Sequence, residues 1–233
     1  MNLDTFFKKI DNIIKQSTNG ARYNGQYEQD KFVNETFFKN KRKGVFVDIG
    51  AYDGVSISNS IFFEKHLGWT GICVEPSPDR FTSLCMNRTS INMNYAIDTS
   101  NGIADFLSTT GYTDTLSGLV EYYDERHLNR IRNEINWTGG KSEVIPVHTI
   151  RMDTLLERFG IRHVDYMSVD VEGGEMTVMQ SINFDKVHID VIDFEDNFDD
   201  VSAPIVKYLE NNGYIFHTKV GGDIIMVHKD FTS

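Results

Sequence analysis

Hydrophobic positions along this chain switch repeatedly between a helical and a strand period. Leu3, Phe6, Phe7, Ile10, Ile13 and Ile14 recur at helical spacing with charged residues opposite, which predicts an amphipathic helix over 3–14. Such a helix has to cover the domain or a dimer partner, with membrane contact the lesser alternative. A polar loop with Gly20 and Gly25 follows, then a short helix over about 31–39 built on Phe32, Val33, Phe37 and Phe38. The β-branched run at 43–48 predicts a first strand. After the glycines at 50 and 54, Ile57, Ile61, Phe62 and Leu67 predict a helix that stops at Gly68. A second strand runs to Glu75, and Ser77 and Pro78 read as N-cap and first residue of a helix over 78–88.

The same alternation continues to the end. Strands are expected at 91–97, 103–107, 143–150, 164–170 and 189–195, and helices at 121–136, 153–159, 175–182 and 202–211. Tyr214–Val220 and Ile224–His228 flank Gly221-Gly222 and read as a terminal hairpin. Strands separated by helices and closed by a hairpin describe an α/β open sheet, mostly parallel, with helices on both faces. Residues 108–140, rich in Thr, Ser and Gly before their helix, interrupt the β-α rhythm and read as an insertion that shapes a substrate pocket. The expected division is an N-terminal helical extension over 1–40 and one domain over 41–233. No internal repeat or low-complexity tract is seen.

Composition narrows the class. The 233 residues are 40% hydrophobic and carry a net charge of −11, which disfavours a broad phosphate-binding surface, so no nucleic-acid partner is expected. No run has transmembrane length and the start lacks a signal-peptide core, so a soluble, cytoplasmic protein is expected. Cys73 and Cys85 read as buried thiols of a reducing compartment. The chain has no Gly-x-Ser-x-Gly elbow and no Cys-x-x-Cys pair, which leaves an acyl-serine hydrolase or zinc site without support. Among the seven histidines, none has a partner at metal-ligand spacing, and His217 and Asp223, near the hairpin, stand outside the candidate set.

The chemistry gathers at strand ends, where open α/β sheets bind ligands. The first turn, Asp48, Gly50, Ala51, Tyr52, Asp53 and Gly54, follows Asp-x-Gly-x-x-x-Gly rather than the dinucleotide Gly-x-Gly-x-x-Gly. Its acidic start suits a ligand with positive charge, such as the sulfonium and amino group of S-adenosylmethionine. Glu75, beside Pro76, ends the second strand where ribose hydroxyls would sit, and with Ser77 available as cap it is left free for the ligand. Asp170 ends the strand at 164–170, with Glu172 and Glu175 beyond it, and Glu195-Asp196-Asn197 end the next. Carboxylates this crowded are costly unless a cation or polar ligand shares the space. Asp170, Glu195 and Asn197 would suit a hard cation such as Mg²⁺ or Mn²⁺. Equally, Asp170 or Glu172 would act as general base without a metal. At least one of Glu172 and Glu175 is expected to be structural, at the start of its helix.

Val47–Gly54, Val74–Pro78 and Val169–Glu175 together resemble the FkbM family of S-adenosylmethionine-dependent methyltransferases, and Tyr27–Phe32, Gly68–Gly71, Leu116–Leu119 and Glu195–Asn197 extend the likeness over about 23–229. The resemblance implies a class I methyltransferase fold, a Rossmann-like open sheet of seven strands whose last pair is antiparallel. It implies that Asp48 and Gly50 line the methionine part of the cofactor, Glu75 holds the ribose, and Ala96, Ile97 and Asp98 border the adenine. It further implies O-methylation of a hydroxyl, on a sugar, glycan or other small-molecule acceptor. Separately from the resemblance, a homodimer or a fusion to other glycan-modifying domains is the expected partnership. Gly174, where the family often carries a larger residue, and Tyr52, where Asn is common, depart from the pattern. Two other classes stand beside this one: a silent binding module that keeps the fold, and an NAD-dependent enzyme, which the glycine spacing disfavours.

Overall fold

The computed structural model describes residues 23–196 and 199–232, so the helix expected over 3–14 and the candidate ligand Asn197 lie outside the described residues. The chain runs α1 (Gln29–Val33, continued by a π-helical turn over Asn34–Phe38), β1 (Val45–Ile49), α2 (Ile61–Leu67), β2 (Thr70–Val74) and α3 (Pro78–Asn87). It continues through β3 (Ile91–Met93), β4 (Ala96–Ile97), β5 (Gly102–Thr109), β6 (Gly118–Leu119), α4 (Glu125–Thr138) and β7 (Ser142–Ile150). It ends with α5 (Met152–Arg158), β8 (His163–Val169), α6 (Glu175–Gln180), β9 (His188–Glu195), α7 (Asp199–Asn211), β10 (Tyr214–Val220) and β11 (Asp223–His228).

Seven strands form the main sheet in the order β10-β11-β9-β8-β1-β2-β3. All pairs are parallel except β11 with β9 and β10 with β11. This is the expected class I methyltransferase sheet with its antiparallel terminal hairpin. The central strands are buried on both faces, which is why they read as unbroken apolar runs. Alternation along β1 sends Val47 and Ile49 into one core with α5 and α6, and Phe46 into a second, aromatic core with Phe38, Phe62, Phe63 and Trp69. Val33, Phe37 and Phe38 are buried in that aromatic core, so residues 29–38 pack on the sheet itself.

Three expectations need correction. Strand 91–97 is broken: β3 pairs with β2, whereas β4 leaves to pair with β7 in a separate four-stranded sheet, β4-β7-β5-β6. Asn94 makes the break, because its side-chain amide donates to the carbonyls of Glu75 (2.8 Å) and Pro76 (2.9 Å) and turns the chain outward. The helix expected directly after the glycines begins only at Ile61, and 50–60 is a chain of turns with positive φ at Tyr52 (51°) and Ile57 (50°). Free helical N–H groups are therefore not what the glycine turn presents. Cys73 is buried as expected, but Cys85 is exposed, since only Leu84 of the α3 interior faces the core.

Candidate functional site

A period of two along neighbouring strands gathers acids onto one face. Asp48 lies opposite Ser168, Ser168 opposite Asp193, and Glu195 opposite Asp223. Cross-strand partners share a face, so Asp48, Asp193, Glu195 and Asp223, with Asp170 just past β8, crowd the aromatic-core side at the strand ends. A cleft of about 980 Å³ opens there. Its lining includes Asp48, Gly50, Ala51, Tyr52, Glu75 and Pro76 together with Ala96, Ile97 and Asp170. Of the residues expected around a cofactor, Asp53, Gly54 and Asp98 stand outside this lining. Asp53 folds onto its own loop and accepts from the N–H groups of Val55 (2.8 Å) and Ser56 (2.7 Å). Gly54 packs under Leu84 and Arg88, where a Cβ would sit 2.7 and 2.6 Å from their side chains. Asp98 is engaged by its own neighbours, its Oδ1 accepting from Tyr122 Oη at 2.7 Å and from the Thr99 N–H at 2.6 Å.

Glu75 is not free. Its Oε1 accepts the Ser77 N–H at 2.7 Å and its Oε2 accepts the Tyr52 N–H at 2.9 Å, while the Ser77 side chain does not cap its helix. The carboxylate thus pins the glycine turn to the start of α3. Burial pushes it up to about 8 despite those two N–H groups. One donor per oxygen leaves lone pairs on both for a ligand hydroxyl.

Sequence reading missed the cation beneath the turn. Arg88 is buried, donates to Glu64 Oε2 (2.7 Å), Ser60 Oγ (2.9 Å) and the Gly54 carbonyl (3.2 Å), and lies 3.8 Å from Asp48 Oδ2. Ser60 also donates to Asp48. The Asp48 side chain is therefore held inside the protein, and burial raises its pKa against the pull of Arg88. A single Arg at the end of a polar helix carries no periodicity signal, which is why it went unseen. The roof was missed for a similar reason: Tyr52 Oη donates to Asp114 (2.9 Å), Asp114 pairs with Arg80, and Arg80 lies 4.8 Å over the Tyr52 ring. Three separate segments meet in that latch, one of them in the 108–140 insertion.

Asp170 borders the first cleft and a second cavity of about 790 Å³, whose walls include Gln29, Asn59, Arg130, Glu172, Glu195 and Asp223. Asp223, set aside in the sequence, belongs here, whereas His217 faces Phe37 at 4.9 Å and away from the site. The wall is closed by the two ends of the described chain: Gln29 Nε2 donates to Asp223 Oδ2 (2.9 Å), and Tyr27 packs over Gly221, leaving no room for a Cβ there. Asp170, Glu172 and Glu195 each offer a carboxylate oxygen, all within 4.8 Å of one another. Asp170 opens to the solvent of both cavities, yet its enclosure at the cleft floor, and then the charges of Asp223, Glu175 and Asp48, lift it above the ordinary carboxylate range. Burial and the Asp170 charge raise Glu172 as well. Glu175 is the structural member expected of the pair, its Oε1 accepting the Gly173 N–H at 3.0 Å. Metal-ligand spacing among histidines also arises in the fold: His163 and His188 converge on Asp190 at 3.1 and 3.0 Å because β8 and β9 start side by side.

No helix among the described residues is long and apolar enough to cross a membrane. No curated protein matches the chain. Among solved structures, the methyltransferase FkbM from Methylobacillus flagellatus KT is similar at 11% identity and a TM-score of 0.46 over 81% of this chain. The present chain spans 44% of that protein's length. A precorrin-6y C5,15-methyltransferase from Geobacter metallireducens GS-15 is similar at 12% identity and a TM-score of 0.41, over 82% of each chain. The methyltransferase FkbM domain family matches residues 48–216, from the carboxylate that opens the glycine turn to the terminal hairpin. The chain belongs to the FkbM methyltransferase family.

Proposed function

We propose that this protein transfers a methyl group from S-adenosylmethionine to a hydroxyl oxygen of a sugar or another polyhydroxylated small molecule. The observation that carries the reading is the position of Asp170, which lines both the cleft suited to the cofactor and the polar cavity beside it. The cleft residues fit the cofactor. Val74, Ala96, Ile97, Phe106 and Leu119 offer apolar surface for a flat base, and Glu75 keeps acceptor capacity for ribose hydroxyls. When bound, S-adenosylmethionine supplies an electrophilic methyl group and leaves as S-adenosylhomocysteine.

The second cavity offers Gln26, Gln29, Asn59 and Arg130 among its acids, a mix of donors and acceptors that suits a hydroxyl-rich acceptor. Thr115 and Leu116 of the 108–140 insertion wall this cavity, which supports that insertion as the substrate-shaping part. Asp170, raised toward neutral pH first by its enclosure and then by the charges of Asp223, Glu175 and Asp48, receives the acceptor proton as general base. Holding both partners in line supplies the rest of the rate.

Calorimetric titration with S-adenosylhomocysteine, followed by transfer assays on hydroxylated acceptors, tests the reading. We expect micromolar binding, and an Asp170→Asn variant that keeps binding but loses transfer by about 10²–10³-fold. Failure to bind S-adenosylhomocysteine would favour the silent binding module. Full transfer by Asp170→Asn, or a methyl group found on nitrogen, would overturn the assignment of base or acceptor.

A further inference from the structure

The strand ends away from the two cavities carry a constellation of their own. β8 begins at His163 and β9 at His188, and these two residues are cross-strand partners, so their side chains share one face. The period of two along β9 adds Asp190 to that face. His163 Nε2 lies 3.1 Å from Asp190 Oδ2, and His188 Nε2 lies 3.0 Å from Asp190 Oδ1. Each carboxylate oxygen therefore faces one ring nitrogen. The His163 and His188 side chains are 49% and 41% exposed and that of Asp190 is 10% exposed, so solvent reaches the rings above a sheltered carboxylate. The backbone beneath is held in place: the His188 N–H donates to the Arg162 carbonyl at 2.9 Å, and Tyr214 Oη donates to the Ile189 carbonyl at 3.0 Å. His228 meets the His188 ring edge-on at 4.3 Å and accepts the Asp230 N–H on its Nδ1 at 3.2 Å, so it braces the pair from the side.

We infer that His163, His188 and Asp190 form a site for a divalent transition cation of the Zn²⁺ class. Methyl transfer has no use for these residues, which stand at the amino ends of their strands, whereas the cofactor cleft opens at the carboxyl ends. An ion bonded at about 2.1 Å to both oxygens of a carboxylate and to two ring nitrogens sets each nitrogen roughly 3 Å from its nearer oxygen, at a right angle. The observed separations of 3.0 and 3.1 Å match that edge. All three ligand atoms lie within 4.8 Å of one another, and turning each half-exposed ring by a few tenths of an ångström brings both nitrogens inside the roughly 4.2 Å that one such ion spans. Two imidazoles among the ligands favour Zn²⁺ over Mg²⁺ or Ca²⁺, which prefer oxygen alone. Water completes the coordination on the exposed side. The ion ties the starts of β8 and β9 together and stabilises the fold by mass action, without touching the reacting groups. Binding there is independent of the acceptor proposed above.

The test is calorimetric titration of the untagged, metal-stripped full chain with ZnCl₂, with MgCl₂ as the comparison. We expect one Zn²⁺ per chain with a micromolar Kd and no comparable uptake of Mg²⁺. The melting temperature should rise by roughly 5–10 °C at Zn²⁺ a hundredfold above Kd. His163→Gln and His188→Gln should each weaken Zn²⁺ binding by about tenfold or more and remove that rise. His148→Gln, at an exposed histidine of β7, should leave both unchanged. Unfolding midpoints without metal establish that each variant is folded. No stoichiometric binding up to millimolar Zn²⁺ would overturn the site and leave two histidine–carboxylate hydrogen bonds in its place. Binding unchanged in His163→Gln and His188→Gln, or lost equally in His148→Gln, would put the ion elsewhere and overturn the assignment. Mg²⁺ bound as tightly as Zn²⁺ would overturn the class of ion.

Discussion

Replacing Gly50 with Ala tests whether the glycine turn and the Asp170 loop form one rigid unit. Gly50 has φ +85°, and a Cβ there would lie 2.9 Å from the Asp170 carbonyl carbon and closer still to its oxygen. Neither side has room to give. Gly50 N–H donates to the Val74 carbonyl at 2.9 Å, and Asp170 N–H donates to the Ile49 carbonyl at 2.9 Å, so both segments are tied to the central strands. The left-handed backbone alone costs an alanine about 1–2 kcal/mol. Prising apart the β1 and β8 ends adds a comparable amount, for a total of about 2–4 kcal/mol. Gly68→Ala is the control, because Gly68 has φ +67° with nothing within 4 Å of its Cβ position. Calorimetry should show a melting temperature lowered by roughly 5–15 °C for Gly50→Ala and by a few degrees for Gly68→Ala. S-adenosylhomocysteine affinity should fall only in the former. Equal losses in the two variants would refute the steric argument.

Two further perturbations follow from buried charge. Glu75 titrates near 8 in the folded chain and near 4.5 unfolded, so its stabilising effect is complete below pH 4.5 and is lost as pH rises through 8. Glu75→Gln should therefore flatten the decline of the guanidinium midpoint between pH 5 and pH 9, and parallel profiles for the two proteins would contradict this. Arg88→Met leaves Asp48 and Glu64 buried without their cation and should destabilise the fold by about 3–5 kcal/mol, read from denaturant unfolding. A loss under 1 kcal/mol would show that the cation is dispensable there.

The centre of the main sheet was legible because β1, β2, β8 and β9 are short apolar runs buried on both faces, each running into an acid or a glycine. Asp48, Glu75, Asp170 and Glu195 could be placed at strand ends for the same reason. What sequence reading lost are facts of partnership. The reach of Asn94 to the carbonyls of Glu75 and Pro76, which divides one expected strand between two sheets, has no periodic signature. Arg88, Arg80 and Asp114 act through partners far away in sequence, and each looks like an ordinary polar residue of a helix or loop. Glu75 was misjudged because its backbone donors depend on the path of a turn, which spacing does not reveal.

The wall joining Gln29 to Asp223 links residues 194 positions apart. During synthesis from the N-terminus, every residue lining the first cleft has been made by Gly174, while the second cavity waits for Gly222 and Asp223. Closing so long a loop carries an entropy cost that nearer contacts do not. The residues of the first cleft are therefore all present before the wall of the second cavity can close, and a copy frayed at its last strands keeps the first lining without that wall. Coupling the last strand to Gln29 of α1 in this way makes closure of the second cavity wait until the whole described domain is in place.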